Sequence, residues 1–443
     1  MYGLSRQELK FALLISSSHF TQHAFYRILP PLIPILSVAL AYPLWQLGLL
    51  ITLYSLGMGL VQAPLGILSD RIDRRFLLPT GLTLTGLAYI LFAYAPVLGT
   101  HFPAIDLLGY TFEGGFLLMS LAMVIVGIGL AVVHPTGYPM ITDNVSQTNK
   151  GKVLGAFGAS SKLGDAATPA IIAALILLFS WEQIIILFGV IGALYGVGLY
   201  VILRGQTYET IPSGQRNQTE EQPQDGILDK DRRSYLYPMT AIYFFFVTSG
   251  LTSRGLTTFL PTFLVAVYAY SVEFMGLTIG SESIANVYFA ILLVAGAVMQ
   301  LYLGGLADSL DPRLILLGCM GLATAGMVML AVFDLHPLLL LIVIIILGTG
   351  LYGVNPARDA LISDLSPAER EGRTFGYIFT AATLTGAALP TVIGYLIDVA
   401  GMRRGFLLLS GGTILAALCI GLLYSERVYL SEPNIESRPE AGN

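Results

Sequence analysis

Charge is scarce in this chain, and what is missing narrows the possibilities before any motif is sought. Of 443 residues only 12% are charged while 55% are apolar, and the mean hydropathy is +0.74. That balance excludes an ordinary water-soluble domain and fits a protein that crosses a membrane many times. The net charge is −5 and there is no basic patch, so nucleic acid is not an expected partner. Cysteine is limited to Cys319 and Cys419, both inside apolar runs, which reads as two buried thiols and argues against a disulfide framework or a metal site. Neither a nucleotide-binding loop nor a metal-spaced His/Cys cluster is present, so no enzyme activity, cofactor or metal is expected. The polar start MYGLSRQELK runs into an apolar segment without a small-residue cleavage site. It reads as a cytoplasmic lead-in and not as a removable signal.

Long apolar runs are what the chain has in abundance. A helix needs about 20 apolar residues to cross a bilayer. Runs of that kind fall at 11–39, 45–68, 76–98, 115–142, 152–179, 182–203, 236–268, 279–306, 313–333, 337–362, 372–398 and 404–425, twelve in all. Period-two alternation is absent, which leaves helices as the spanning structure.

A short polar stretch organises these runs. GILSDRIDRR at 66–75 returns 238 positions later as GGLADSLDPR at 304–313, and from Gln62 onward the copies agree at seven of fourteen positions. Both lie between apolar runs, as turns between two helices. A second repeat, at an offset of 221, pairs Gly127, Pro135, Asp143 and Pro169 with Gly348, Pro356, Asp364 and Pro390. The difference of 17 places extra residues in the first half, most simply in the loop 99–115. The polar, Gly- and Pro-containing segment 204–235 divides the chain and reads as a linker between 1–203 and 236–443.

The repeated turn resembles the signature of the major facilitator superfamily, in which it joins the second and third helices and recurs between the eighth and ninth. Asp73 and Asp311 depart from it, standing where the signature prefers glycine; Ser309 and Pro312 replace basic residues in the second copy. The resemblance implies an all-α membrane protein of twelve transmembrane helices in two pseudo-symmetric six-helix bundles, handling substrate near the midplane between them. It also implies that Asp70, Arg71, Arg75, Asp308 and Arg313 act as a conformational gate, the alternative being a cluster of topogenic charge. Small residues at Gly57, Gly59, Gly155, Gly158, Gly164, Gly376 and Gly386 are expected to let helices approach and slide.

Orientation follows from Lys and Arg, which are retained on the cytoplasmic side. Of the 23, 17 fall in the termini and the even-numbered connections, so both ends are expected in the cytoplasm, with the protein in the plasma (inner) membrane. Arg403 and Arg404 sit in an outer connection, and Arg27, Lys162, Arg254 and Arg358 lie within helices.

Function must come from polar residues that do not belong in lipid, because a charge at the bilayer centre costs at least about 2.5–3.5 kcal/mol. His19, His23 and Arg27 recur every fourth residue and share one helix face. Aligning Leu29-Pro30 with Leu260-Pro261 sets Arg254 opposite His23 in the symmetry-related helix. Arg27 and Arg254 form a candidate pair for gripping an anion from both halves, or else each is paired internally. Lys162 and Asp165, three apart, read as a proton relay or as a silent ion pair. His134 precedes Pro135 in a helix expected to kink; it and its repeat partner Asn355 are candidate substrate contacts, with neutral packing as the alternative for His134. Arg358 is expected to pair with Asp359 or with the turn at Asp308.

A looser resemblance joins His19-Phe20, Leu29-Pro30-Pro31-Leu32-Ile33-Pro34, GLLITLYSLGMGLVQAPLG and GIGLAVVHPTG to the fosmidomycin-resistance-type branch of the superfamily. That branch often carries Asp four residues after the first His, where this chain has His23. The resulting expectation is a secondary active transporter of a small organic anion, coupled to a proton or sodium ion, acting as a monomer in the lipid bilayer. Asp165, His23 and His134 are its candidate proton carriers. A proton-coupled exporter of amphipathic drugs and a non-transporting solute sensor are the alternatives.

Overall fold

The computed structural model describes residues 3–107, 109–211, 229–274, 276–307, 309–365, 378 and 381–425. Asp308, Gly376 and most of the segment 204–235 thus lie outside the described residues. The first half contains α1 (Arg6–Tyr26), α2 (Leu29–Ala39), α3 (Leu44–Ser69), α4 (Arg74–Leu98), α5 (Gly114–Leu130), α6 (Val133–Asn144), α7 (Gln147–Leu175) and α8 (Trp181–Arg204). The second contains α9 (Asp229–Phe263), α10 (Ser281–Ala307), α11 (Pro312–Val332), α12 (Pro337–Tyr352), α13 (Val354–Leu365), α14 (Leu389–Ala400) and α15 (Met402–Leu422).

Among the described residues nine helical stretches are long and apolar enough to cross a bilayer on their own. The remaining three spans are α1–α2, α7 and α9, the helices that carry His19, His23 and Arg27, then Lys162 and Asp165, then Arg254. The polar residues that dilute these helices are thus the functional candidates. The result is twelve spans in two six-helix bundles.

Prolines decide where spans break. Pro30 and Pro31 lack the N–H groups that would bond the carbonyls of Tyr26 and Arg27, so the first span stops at Tyr26 and restarts at Leu29. The freed backbone is satisfied from neighbouring helices. Tyr89 Oη donates to Phe25 O at 2.7 Å, Thr168 Oγ1 to Ala24 O at 3.0 Å, and Tyr54 Oη to Tyr26 O at 3.3 Å. Pro135 and Pro356 accompany the same event in the fourth and tenth spans, which divide as α5/α6 and α12/α13. There Gln22 Nε2 of α1 donates to Leu130 O, the last residue of α5.

Within the halves, α3 packs on α5 and α10 on α12; α4 packs on α8 and α11 on α15. Between halves the principal contacts are α3 with α14 and α7 with α10, the second against the eleventh span and the fifth against the eighth. Exchanging the halves maps one contact onto the other. This is the pseudo-symmetry that the repeated turn implies.

Two antiparallel hairpins, Ile105–Leu107 with Tyr110–Phe112 and Val272–Phe274 with Leu277–Ile279, stand at the end of the molecule away from the 66–75 turn. The first fills the connection 99–113, whose counterpart is only 333–336, which accounts for most of the extra length expected there. At this hairpin end the halves are closed against each other. Pro43, at the start of α3, has no side chain to cap the helix; Asp398 of α14 supplies one across the interface, accepting from Leu44 N at 3.1 Å and Trp45 N at 2.9 Å. Asn286 Nδ2 donates to Pro31 O at 3.1 Å, and the Thr52 and Thr391 hydroxyls meet at 2.8 Å.

Only some of the expected small-residue contacts occur. Gly57 faces Val124 O, 2.9 Å from where a Cβ would stand, and Gly164 lies against Phe20; Gly155 and Gly158 face open space, so no helix crosses them. Sequence spacing marks glycine on a helix without showing which face is covered. Across the α3–α14 interface the backbones close tightly on both sides: a Cβ at Gly48 would meet Pro390 O at 2.3 Å, and one at Gly394 would meet Leu44 O at 2.5 Å and Leu44 C at 2.7 Å, backbone atoms that cannot yield. Gly394→Val should therefore part α14 from α3. In a Thr391→Cys background it should raise labelling by a membrane-impermeant maleimide from the hairpin side several-fold, whereas an unchanged rate would show that this contact does not hold the halves together.

Candidate functional site

The break after Tyr26 leaves Arg27 at the end of α1, where its guanidinium reaches α7. Arg27 Nε donates to Asp165 Oδ1 at 2.8 Å, and both side chains are about nine-tenths buried, at 11% and 9% exposure. His23 Nδ1 lies 3.2 Å from the same oxygen, close enough for an ion pair but off the line of a hydrogen bond, so that this buried nitrogen has no hydrogen-bond partner. Lys162, expected beside Asp165, makes no ion pair among the described residues and is half-buried. The expected Lys162–Asp165 pair is corrected accordingly. A residue three positions away along α7 is a weaker partner than a guanidinium delivered by the facing helix, whose fork needs no bending to reach a carboxylate.

Arg27 and Arg254 do converge, but unequally. Arg254 Nη1 donates to Tyr26 Oη at 3.0 Å, and the Arg27 guanidinium lies 5.2 Å from the centroid of the same tyrosine ring. Tyr26 thus links the two cations across the interface. Arg254 has no carboxylate partner among the described residues, whereas Arg27 is neutralised by Asp165. The two arginines are therefore unequal: Arg27 is paired internally, the alternative reading, while Arg254, among the described residues, donates its side chain to a phenol.

The histidines assemble into a cluster. His19 Nδ1 donates to Phe157 O at 2.6 Å, which fixes its tautomer, and its ring stacks on Phe157 with centroids 3.9 Å apart. His19 Nε2 faces His134 Nε2 at 3.2 Å, and Gln62 Nε2 approaches His134 Nδ1 at 3.5 Å. His19, His23 and His134 hold their nearest ring nitrogens within 4.8 Å of one another. The sequence shows no metal-spaced cluster because His134 arrives from the fourth span; only the four-residue step from His19 to His23 was visible.

Asn355, the repeat partner of His134, is engaged by Arg358, whose Nη1 donates to Asn355 Oδ1 at 2.8 Å. Arg358 also binds Asp359 at 2.8 Å and lies over the Phe246 ring, in line with its expected pairing with Asp359. Asn355 is thus held by an arginine.

At the repeated turn, Asp70 is 71% exposed and only 3.8 Å from Arg74, and Arg71 is exposed. Asp73 and Asp311, the departures from the signature, cap α4 and α11. Each accepts from the backbone N–H two residues on at 2.9 Å and clamps that residue's guanidinium, Arg75 at 2.6 Å and Arg313 at 2.7 Å. Arg75 and Arg313 are therefore held locally within their own turns. Arg313 also donates to Leu423 O at 3.0 Å and lies over Tyr424. The residue that reaches out of the first turn is one not singled out from sequence. Arg74 is buried, donates to Asp143 Oδ2 at 2.7 Å, and meets Ser69, which donates to Pro135 O. Proline occupies its place in the second copy, and the match of Asp143 with Asp364 in the repeat was the one available signal. Tyr26, Gln62 and Phe157 were likewise missed, since an aromatic or amide on an apolar helix carries no signal of its own.

Twelve spans in two related bundles, with ionised groups gathered at mid-depth on the inner helices, define a membrane transporter of small molecules and not an enzyme. The model of the Major Facilitator Superfamily matches residues 15–293 and 269–442, and the chain belongs to that family. It is 24% identical over 401 residues to the "Probable L-galactonate transporter" of Escherichia coli (strain K12), covering 88% of this chain and 82% of that protein. It is 23% identical over 398 residues to the "Hexuronate transporter" of Bacillus subtilis (strain 168), covering 85% of each. Among solved structures it shares the fold of a bacterial homolog of the human lysosomal transporter Spinster, inward-facing and unoccupied. The TM-score is 0.74 at 15% identity, over 97% of this chain and 98% of that one. A D-xylose-proton symporter gives a TM-score of 0.74 at 14% identity, over 95% and 98%.

The buried pair supplies a direct test. Removing one partner of a buried ion pair costs about 3–5 kcal/mol because the other charge is left uncompensated. Arg27→Met and Asp165→Leu should each lower the thermal midpoint in detergent, while the double variant should recover most of the loss. Additive losses would show that the pair does not act as a unit.

Proposed function

We propose that the protein moves a small organic anion of the sugar-acid class across the membrane by alternating access, with coupling to a proton. The observation that carries this reading is Arg254: a half-buried guanidinium at the interface, hydrogen-bonded to Tyr26 and without a carboxylate partner among the described residues. A guanidinium offers a planar fork matched to a carboxylate, and a cargo carboxylate is a stronger acceptor than a phenol. Lys162 and Arg27 add positive charge nearby, against Asp165 alone. The names of the galactonate and hexuronate transporters, to which the chain is similar over most of its length, support the same class of cargo.

In this reading Asp165 is the proton site. As a carboxylate it holds Arg27; as a carboxylic acid it holds that cation more weakly, and the guanidinium becomes available to the cargo. His23, 3.2 Å away, and His134, beyond His19, are the groups through which the proton reaches Asp165. The moving units are 1–203 and 236–443, joined by the linker 204–235, and the carrier acts as a monomer in the plasma (inner) membrane. The positive-inside distribution of Lys and Arg supports a topology with both termini and the repeated turns in the cytoplasm. On this reading the closed hairpin end faces outward and the conformation is inward-facing. The exposed Asp70 fits a gate released in that state, in which Asp70 and Asp308 are the proposed acceptors and Arg71, Arg75 and Arg313 the proposed cations.

The test is a thermal-shift titration of purified protein with galactonate, galacturonate, galactose and a cationic amphiphile. Stabilisation by the two acids and not by galactose is expected. Losing a charged hydrogen bond of about 1.5–3 kcal/mol should weaken binding about 10- to 150-fold in Arg254→Ala, with partial retention in Arg254→Lys. Stabilisation by the cation alone, unchanged in Arg254→Ala, would replace this reading with drug export.

A further inference from the structure

We propose that His19, His23 and His134 form a binding site for one divalent late transition-metal cation, zinc being the natural occupant by coordination chemistry. In a tetrahedral zinc site with Zn–N bonds of about 2.0–2.1 Å, two ligand nitrogens stand about 3.3 Å apart. His19 Nε2 and His134 Nε2 are 3.2 Å apart, and the nearest nitrogens of all three rings lie within 4.8 Å of one another. Two of the three ligands are therefore at coordinating separation, and the third, His23, is within 4.8 Å of both.

The protonation pattern of His19 suits this role. Its Nδ1–H is committed to Phe157 O at 2.6 Å, so in the neutral ring the lone pair is on Nε2, the atom that faces His134. A histidine that donates one nitrogen to a backbone carbonyl while the other faces the site is the usual arrangement around a metal ligand, since it fixes the ring and raises its basicity. The stack of His19 on Phe157 holds the ring further. His23 Nδ1 is buried without a hydrogen-bond partner, so it gives up none on turning to a metal. Asp165, whose Oδ1 stands 3.2 Å from that nitrogen, offers a fourth, anionic ligand.

Charge bears on affinity and selectivity. Arg27, paired with Asp165, and Lys162, three residues before Asp165 on α7, add positive charge that repels a dication, while Asp165 attracts it. A hard cation such as magnesium finds three imidazoles and one carboxylate, a poor oxygen set. Zinc, nickel, cobalt or copper gains from the nitrogen donors what it loses to the two cations. The site lies wholly within the first half, its histidines on α1 and α6 and Asp165 on α7. It shares His23, His134 and Asp165 with the proposed proton path, so a bound dication would block that path, while the choice of organic cargo does not enter the metal-binding test.

Cobalt(II) titration of tag-free protein, followed by visible absorption and isothermal calorimetry, tests this. One equivalent should bind with the intense d–d bands of a low-symmetry site, and zinc should displace it. Loss of an outer-shell partner alone costs about 10–100-fold in metal affinity, so His19→Ala and His134→Ala should each cost at least about 100-fold. His134→Cys should retain binding and add a thiolate charge-transfer band, which separates loss of a ligand from loss of fold. Only two other histidines exist, His101 and His336, and replacing both should leave binding unchanged. Absence of stoichiometric binding overturns the proposal. So does binding that survives His19→Ala and His134→Ala, or that disappears with His101 and His336.

Discussion

A carboxylate and a guanidinium 2.8 Å apart at the centre of a helical bundle constrain everything around them. Neither charge is tolerable alone at that depth, and their mutual attraction offsets desolvation only when geometry is close and the surrounding backbone is satisfied. The chain meets the first condition by breaking the first span at Pro30-Pro31, so that Arg27 emerges at a helix end with freedom to turn toward α7. It meets the second by borrowing hydroxyls: Tyr89, Thr168 and Tyr54 bond the carbonyls at the break. The ion pair, the proline break and the three hydroxyls therefore form one unit, and the first and fifth spans are held together through it.

Much of the fold was legible because bilayer physics leaves few choices. Twelve apolar runs, a turn repeated at 66–75 and 304–313, and prolines at matched positions in the fourth and tenth spans each have a single structural reading. The break in the first span was written in Pro30 and Pro31 too, though the run 11–39 read as one helix. The site was legible only in part. His19, His23 and Arg27 were recognisable as one helix face, since that depends on spacing within one helix. What spacing cannot show is which helix faces which, so Asp165 was paired with Lys162 along its own helix instead of Arg27 across the gap. His134 joined the cluster for the same reason unseen.

The departures from the repeated signature have a structural account. Glycine at those positions would leave the start of α4 and α11 uncapped, whereas Asp73 and Asp311 satisfy a terminal N–H and hold a nearby arginine. Both copies made the same exchange, so the two turns remain equivalent. The copies differ in the residue that follows, where Arg74 ties the first turn to Asp143 on α6 and Pro312 begins α11. The first turn is therefore anchored, through Asp143 and Pro135, to the same broken span that presents His134. Arg74 thus links the first turn to the span that carries His134, and Pro312 takes its place in the second copy.

The halves share a scaffold and divide the chemistry. The first carries His19, His23, Arg27, His134, Lys162 and Asp165; the second contributes Arg254, with Arg358 committed to Asp359 and Asn355. A ligand shifts a conformational equilibrium only through contacts that differ between states. Arg254 meets that requirement because its present partner, Tyr26, belongs to the opposite half. In the proposed mechanism a cargo that takes Arg254 from Tyr26 would remove one of the polar links between the bundles and replace it with its own bridge to Arg27. Occupancy then changes how the halves are joined at mid-depth while the caps and threonines at the hairpin end stay in place. On that proposal, a single arginine held by a phenol across the interface would make substrate binding and the movement of the halves parts of one equilibrium.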